Sequence, residues 1–285
     1  MKTVKVSSLI GGEIVAEDII LGNTVLIPKN TILNIEYIKS IEELGVEKVY
    51  IESTDNDVVE NYLLDIITKE SMKEKIRNTL EEHMYKNSLN LDRLVYVANK
   101  IIDYLRYKIK NEKLKYTIIE HNADLYEHTI QVCAIAVSIA IKLDLNEREI
   151  YNIAIGSLLH DIGLRYTTVN YKNCIIDNLS PNDIFEYKKH TIYGYIALEE
   201  IEEIESEVRN LILFHHEKLD GSGFPLKYKD LDISQRILSV CDAFESNISG
   251  MGCIRKSKEE TMTLLDSVSG KEYDNNIIIL IKELF

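Results

Sequence analysis

The chain has 285 residues, room for one large domain or two smaller ones, and 45% of them are hydrophobic, enough for a sizeable core. Its formal net charge is −14 with the acidic residues spread along the chain, which argues against a DNA-binding surface and means that an anionic substrate would need a local cationic feature. The four cysteines form no CxxC pair, no apolar run approaches a membrane span, and the N-terminus lacks a signal-peptide layout, so a cytoplasmic, reduced protein is expected.

Residues 1–54 read as a small α+β unit. The runs VKVSSLI, EIVAEDII and TVLIP are strand-like, with turns at Gly11–Gly12 and Gly22–Asn23; LNIEYIKSIEELGV is an amphipathic helix ending at Gly45, and KVYIES is a further strand. It carries no phosphate loop and no cluster of ligand residues, which fits a structural or sensory role. Residues 55–115 read as linking helices. Val59, Tyr62, Leu63, Ile66 and Ile67, then Ile76, Leu80 and Met84, then Leu94, Val95, Ala98, Ile101, Ile102 and Leu105 follow a helical period. Their apolar stripe is a candidate homodimer surface. Residues 116–285 read as an all-α domain with helices over 123–143, 146–162, 182–200, 205–217, 232–247, 257–268 and 274–284. The fold class is therefore mainly α.

Six of the seven histidines fall in this last part or just before its first helix: His121, His128, His160, His190, His215 and His216. HDIG, His160 to Gly163, ends the apolar run IAIGSLLHDIG, and Asp242 sits inside another, RILSVCDAF. A carboxylate buried in such a setting is costly unless it is paired or metal-bound. His128, His160, Asp161 and Asp242 can surround one divalent ion, and such mixed nitrogen and oxygen donors suit iron, manganese or zinc. His190, His215 and His216 exceed the needs of one ion. Two ions sharing Asp161 would use all of them: His128, His160 and Asp242 on one side, His190, His215 and His216 on the other. Adjacent residues on a helix point about 100° apart, so the pair His215–His216 approaches from two directions. Asp124, one turn before His128, is a candidate ligand for a third ion. Glu217 is expected to orient an imidazole from behind, and Asp220, Gly221 and Gly223 to turn the chain sharply beside the site. His83 and His121 are expected to be ordinary surface or core histidines.

The order YEHTIQV, LLHDIG, HTIYG, HHEKLDGSGFP and RILSVCDAF resembles the HD-GYP family, a branch of the HD metal-dependent phosphohydrolases, over about residues 116–285. The resemblance implies a helical domain with two or three ions, often iron, that hydrolyses the cyclic dinucleotide cyclic di-GMP to the linear dinucleotide pGpG or to GMP. Carried over by motif position, the ligands are His128, His160, Asp161, His190, His215, His216 and Asp242, with Asp124 as the further one. Asp161, shared between ions that activate water, is the residue on which catalysis would turn.

The sequence departs from that family at its substrate contacts. Leu164 stands where HDIG is usually followed by lysine, Phe224 replaces the tyrosine of GYP, and Met251 falls where a phosphate-holding arginine is expected. Arg255 and Lys256, a turn later, are the candidate substitutes; Arg165 would point away from the site. Slow hydrolysis of cyclic di-GMP is the leading expectation. A weakly catalytic metal- and nucleotide-binding regulator is the alternative, and a phosphohydrolase of another nucleotide is a third.

Overall fold

The structure, a computed structural model, describes residues 2–9, 11–22, 24–52, 62–86, 88–111, 115–118, 123–171 and 174–285. At the N-terminus, β1 (Lys2–Lys5) pairs antiparallel with β4 (Lys48–Ile51), Lys2 opposite Ile51. Between them in sequence lie the antiparallel hairpin β2 (Ile19–Leu21) and β3 (Thr24–Ile27) and helix α1 (Ile35–Glu43). Asn34 caps α1 by accepting the Tyr37 N–H at 2.8 Å, and Ile35, Ile38 and Ile41 form its buried stripe. The first expected strand is shorter than its apolar run, because Val6–Ser8 close into a 3-10 turn. In the second, Ile14 and Val15 make single bridges to Ile32 and Ile51 before β2 begins.

Two long helices follow, α2 (Ile66–Lys86) and α3 (Leu91–Asn111). The helical pattern expected from residue 57 onward begins later. Val59 lies outside the described residues, and Tyr62 pairs with Thr117 in a short bridge. Asp65 then starts α2 by accepting both the backbone N–H and the hydroxyl of Thr68, at 2.8 and 2.7 Å. Met84, expected on the apolar stripe, is exposed.

The rest of the stripe does not face outward. Met72, Ile76 and Leu80 of α2 and Leu94, Val97, Ala98, Ile101 and Leu105 of α3 are buried. They pack on each other and on α4 (Leu125–Lys142) and α5 (Glu147–Leu159), within one continuous hydrophobic core. The face named as a dimer surface is thus covered by the chain's own helices. α4 is the central rod: every residue from Glu127 to Ala140 is buried. The remaining helices are α6 (Pro181–Lys188), α7 (His190–Ala197), α8 (Ser206–Phe214), α9 (Ile233–Ser249), α10 (Lys258–Val268) and α11 (Asn275–Leu284). The helix expected over 182–200 is two, because the chain tightens at Lys189, whose N–H reaches Glu186 O at 3.1 Å. All four cysteines are free. Among the described residues no helix is long and apolar enough to cross a membrane.

Because α3 shares this core, Ile101→Ala should lower unfolding free energy by about 2–5 kcal/mol, the usual cost of truncating a buried aliphatic side chain. Urea unfolding followed by the helical signal measures this. A loss below about 1 kcal/mol would show that α3 is a peripheral strut, since truncation of such a side chain in a packed core costs more.

Candidate metal centre

Five helices and their ends deliver the side chains. His128 lies in the first turn of α4, and Asp242 lies in the middle of α9. His160 is the C-cap of α5, Asp161 follows it, and a 3-10 turn, Ile162–Tyr166, carries the chain on. His190 opens α7, and His215 is the C-cap of α8 with His216 next. Two close approaches lock these pieces. A Cβ on Gly163 would stand 1.8 Å from His190 O, so only glycine lets the segment after Asp161 lie flat on α7. A Cβ on Gly223 would stand 2.4 Å from His216 O, and the returning loop is pinned there by the Phe224 N–H donating to that carbonyl at 3.2 Å.

Asp161 faces two ways. Its Oδ1 lies 3.4 Å from His190 Nε2 and 3.8 Å from His215 Nε2; its Oδ2 lies 3.5 Å from His160 Nε2 and 3.8 Å from His128 Nε2. Asp242 Oδ1 is 3.2 Å from His128 Nε2, and its Oδ2 is 3.5 Å from His216 Nδ1. The donors form two groups, Asp161 with His190, His215 and His216, and His128 with His160 and Asp242; within each group the ligand atoms lie within 4.8 Å of one another.

The hydrogen bonds on the far sides of the rings set the tautomers. Nδ1 of His160, His190 and His215 faces the backbone carbonyl three residues earlier, Ser157, Tyr187 and Ile212, at 2.8, 2.8 and 2.7 Å. His128 Nδ1 faces the Glu245 carboxylate. Those Nδ1 atoms therefore carry the protons, and the Nε2 lone pairs point inward. His128 Nε2 stands 3.1 Å from His160 Nε2, and His190 Nε2 stands 3.2 Å from His215 Nε2. Neutral rings so arranged press lone pair against lone pair and against carboxylate oxygen. A cation resolves that repulsion, and donors about 2.1 Å from an ion are spaced about 3.0–3.4 Å apart. The residues present therefore fit divalent metal, with Asp161 between the groups.

Protonation follows the same logic. Burial pulls the His190 and His216 imidazoles down to about 4 and pushes His215 lower still, helped by its histidine neighbours. These rings are neutral at pH 7, the form that ligates metal. Burial also opposes charge on His128, but Glu245 and Asp242 outweigh it and hold its pKa well above the ordinary value. Burial would raise Asp242; the His128 hydrogen bond and the nearby imidazoles instead keep it far below the usual carboxylate range. Carboxylates that favour a proton on His128 favour a metal ion in its place.

The HD-domain family model matches residues 113–277, more than half of the chain. The chain belongs to the HD-domain family. The HD-GYP branch expected from its motifs is borne out by its relatives. It is 24% identical over 273 residues to the cyclic di-GMP phosphodiesterase of Thermotoga maritima, covering 88% of this chain and 71% of that one. It is 26% identical over 150 residues to a cyclic di-GMP phosphodiesterase of Pseudomonas aeruginosa, covering 52% of this chain and 33% of that one. Among solved structures, an HDG"Y"P protein from Bdellovibrio bacteriovorus shares the fold with a TM-score of 0.62 at 19% identity, covering 99% of this chain and 98% of that one.

The HD domain thus brings together seven of the expected ligands, His128, His160, Asp161, His190, His215, His216 and Asp242. Asp124 stays outside both groups. It caps α4 by accepting the Glu127 N–H at 2.9 Å and lies 3.6 Å from Lys73 Nζ. Glu217 does not orient an imidazole. Its Oε1 accepts the Leu226 N–H at 2.6 Å, so it holds the returning loop, and burial raises its pKa. Asp220 accepts the Ser222 N–H at 2.9 Å and shapes the turn. Lys256 Nζ is bound to Asn247 Oδ1 at 2.6 Å, which ties the loop after α9 to that helix; Arg255 is exposed on the same loop. Arg165 is turned away as expected and donates to Leu80 O. His83 is buried beside Tyr166, its Nδ1 3.4 Å from the hydroxyl, and His121 lies outside the described residues.

Glu245 is the residue that sequence reasoning missed. It is fully packed inside the protein, behind His128, and Ser249 Oγ donates to it at 3.1 Å. Its signal was available: a second carboxylate in the apolar helix of Asp242, one turn on. Glu245→Gln removes the charge that raises the basicity of His128, and metal affinity should fall about 10–100-fold with the fold retained. Competitive chelator titration reads this directly, and unchanged affinity would show that Glu245 only fills space.

Proposed function

We propose that this HD domain is a metal-dependent phosphodiesterase that hydrolyses cyclic di-GMP to pGpG or GMP, using two iron or manganese ions. The observation that carries the reading is the Asp161 carboxylate, one oxygen toward each histidine group. The names of its relatives support it: two are cyclic di-GMP phosphodiesterases, and a third, from Vibrio cholerae, is a 3'3'-cGAMP-specific phosphodiesterase, 26% identical over 228 residues. The chain spans 33% of the Pseudomonas protein and 41% of the Vibrio one, so their full activities are carried over here as proposals only. Residues 116–285 would be the catalytic unit, 1–54 a sensory one, and 55–115 the link between them.

His128, His160 and Asp242 would hold one ion and His190, His215 and His216 the other, with Asp161 shared. When bound, two such ions supply Lewis acidity at the phosphoryl group and a nucleophile from water near neutral pH. The protein's own part is arrangement. Backbone carbonyls and Glu245 fix the ring tautomers, and burial keeps His190, His215 and His216 neutral. The four free cysteines suit a reducing cytoplasm.

A second reading, a weakly catalytic regulator, is favoured by one specific feature. Leu164 is fully buried and apolar beside Asp161, and can neither donate a proton nor stabilise charge on a leaving oxygen. A missing general acid typically costs about 10²–10⁴-fold in rate. The anaerobically metal-loaded protein should therefore turn over cyclic di-GMP slowly. Leu164→Lys should raise kcat at least about tenfold with a smaller change in KM. Steady-state kinetics at matched metal content test both statements. Brisk wild-type turnover without gain in the variant would remove Leu164 as the bottleneck, and no turnover of any cyclic dinucleotide by either would favour the regulator.

A further inference from the structure

The metal centre is reached from one side. The side chains of His128, His160, His190 and His215 are 0–1% exposed and those of Asp161 and Asp242 6–8%, whereas that of His216 is 25% exposed. The ring of Phe224 lies on His216, 4.6 Å between centroids and tilted by 33°, and stands edge-on to His190 at 6.1 Å. Phe224 is therefore the rim of the opening. Over its ring, 5.2 Å from the centroid, sits the ammonium of Lys188.

Other cations of this region are committed elsewhere. Arg165 donates to Leu80 O, Lys189 pairs with Glu186 at 2.8 Å, Lys218 pairs with Glu272 at 2.6 Å, and Lys256 is bound to Asn247. Lys188 is exposed, and among the described residues no carboxylate lies within ion-pairing distance of it. Its mount is firm: it is the last residue of α6, two before His190, and its carbonyl accepts the Thr191 hydroxyl at 3.3 Å. The protein as a whole carries a formal charge of −14, so an anion approaching this opening meets repulsion everywhere except at the ions and at such a cation.

We propose that Lys188 binds a phosphate of the substrate at the mouth of the metal centre, and that this is the phosphate of a cyclic dinucleotide that is not at the ions. The inference rests on the phosphodiesterase reading above. The ammonium stands one aromatic ring outward from His216, where a second phosphate would emerge when the first is at the ions. Its hold on an exposed phenyl face is weak, and a phosphate oxygen offers a stronger, charge-assisted partner. Lys188 thereby serves as a phosphate-binding residue that admits substrates with two phosphates in preference to simple diesters.

The test compares metal-loaded wild type, Lys188→Met and Lys188→Arg at equal metal content. Calorimetry uses the bis-phosphorothioate analogue of cyclic di-GMP, which resists hydrolysis; bis(4-nitrophenyl) phosphate serves as the single-phosphate probe. Lys188→Met should weaken the dinucleotide analogue about 10–100-fold, Lys188→Arg should restore most of it, and the simple diester should be nearly unaffected. Equal binding of the analogue by wild type and Lys188→Met overturns the proposal, as does an equal loss for both probes. Failure of wild type itself to bind any cyclic dinucleotide would overturn the parent reading, and the wild-type titration alone reveals that outcome.

Discussion

Every feature of the C-terminal helices converges on one electrostatic conflict: the lone pairs of buried imidazoles are aimed at each other and at the two oxygens of Asp161. Such an arrangement repels itself unless positive charge enters it. The fold holds it by force of packing elsewhere. α4, buried along nearly its whole length, fixes His128; α9 lies against α4 and fixes Asp242; the ends of α5 and α8 place His160 and His215. Gly163 and Gly223 then allow backbone to touch backbone where any side chain would push the ligands apart. Burial, which makes the conflict costly, also keeps three of the histidines neutral and hence ready for metal.

The centre is coupled to the long helices before it. Glu127, the residue before His128, is buried and meets the ammonium groups of Lys69 and Lys73, the second at 2.7 Å. Breaking one side of a buried ion pair is strongly destabilising, so α2 and the first turn of α4 move as one. α2 and α3 are thus parts of the body that carries the site, packed into its core. The small strand-bearing unit touches that body through α1, where Lys100 of α3 reaches Glu36 at 2.5 Å.

The ligand set was legible in the sequence because its members break a local rule: Asp161 and Asp242 are carboxylates in apolar runs, and His215–His216 is a doublet in a histidine-poor chain. Even the division of the set between two groups followed from counting donors. What sequence spacing does not carry is the direction of a side chain around a tertiary contact. Asp124 lies one helical turn from His128, yet its carboxylate caps α4 because that is where the helix begins. Glu217 and Glu245 exchange their expected duties for the same reason: the loop returning after Gly223 takes Glu217, and the contact of α9 with α4 brings Glu245 behind His128. The break at Lys189 was hidden because helical propensity continues across it, while the need to present His190 at a helix start is a tertiary demand.

The central claim is that Asp161 is shared, and its most direct test counts metal. Elemental analysis of anaerobically prepared wild type should give about two transition-metal ions per chain, the stoichiometry of a shared-carboxylate site. The Asp161→Ala protein should retain its helical content and lose most of both. Wild type with two ions and Asp161→Ala with the same two would contradict the account, because the histidine groups would then hold their ions without the carboxylate between them.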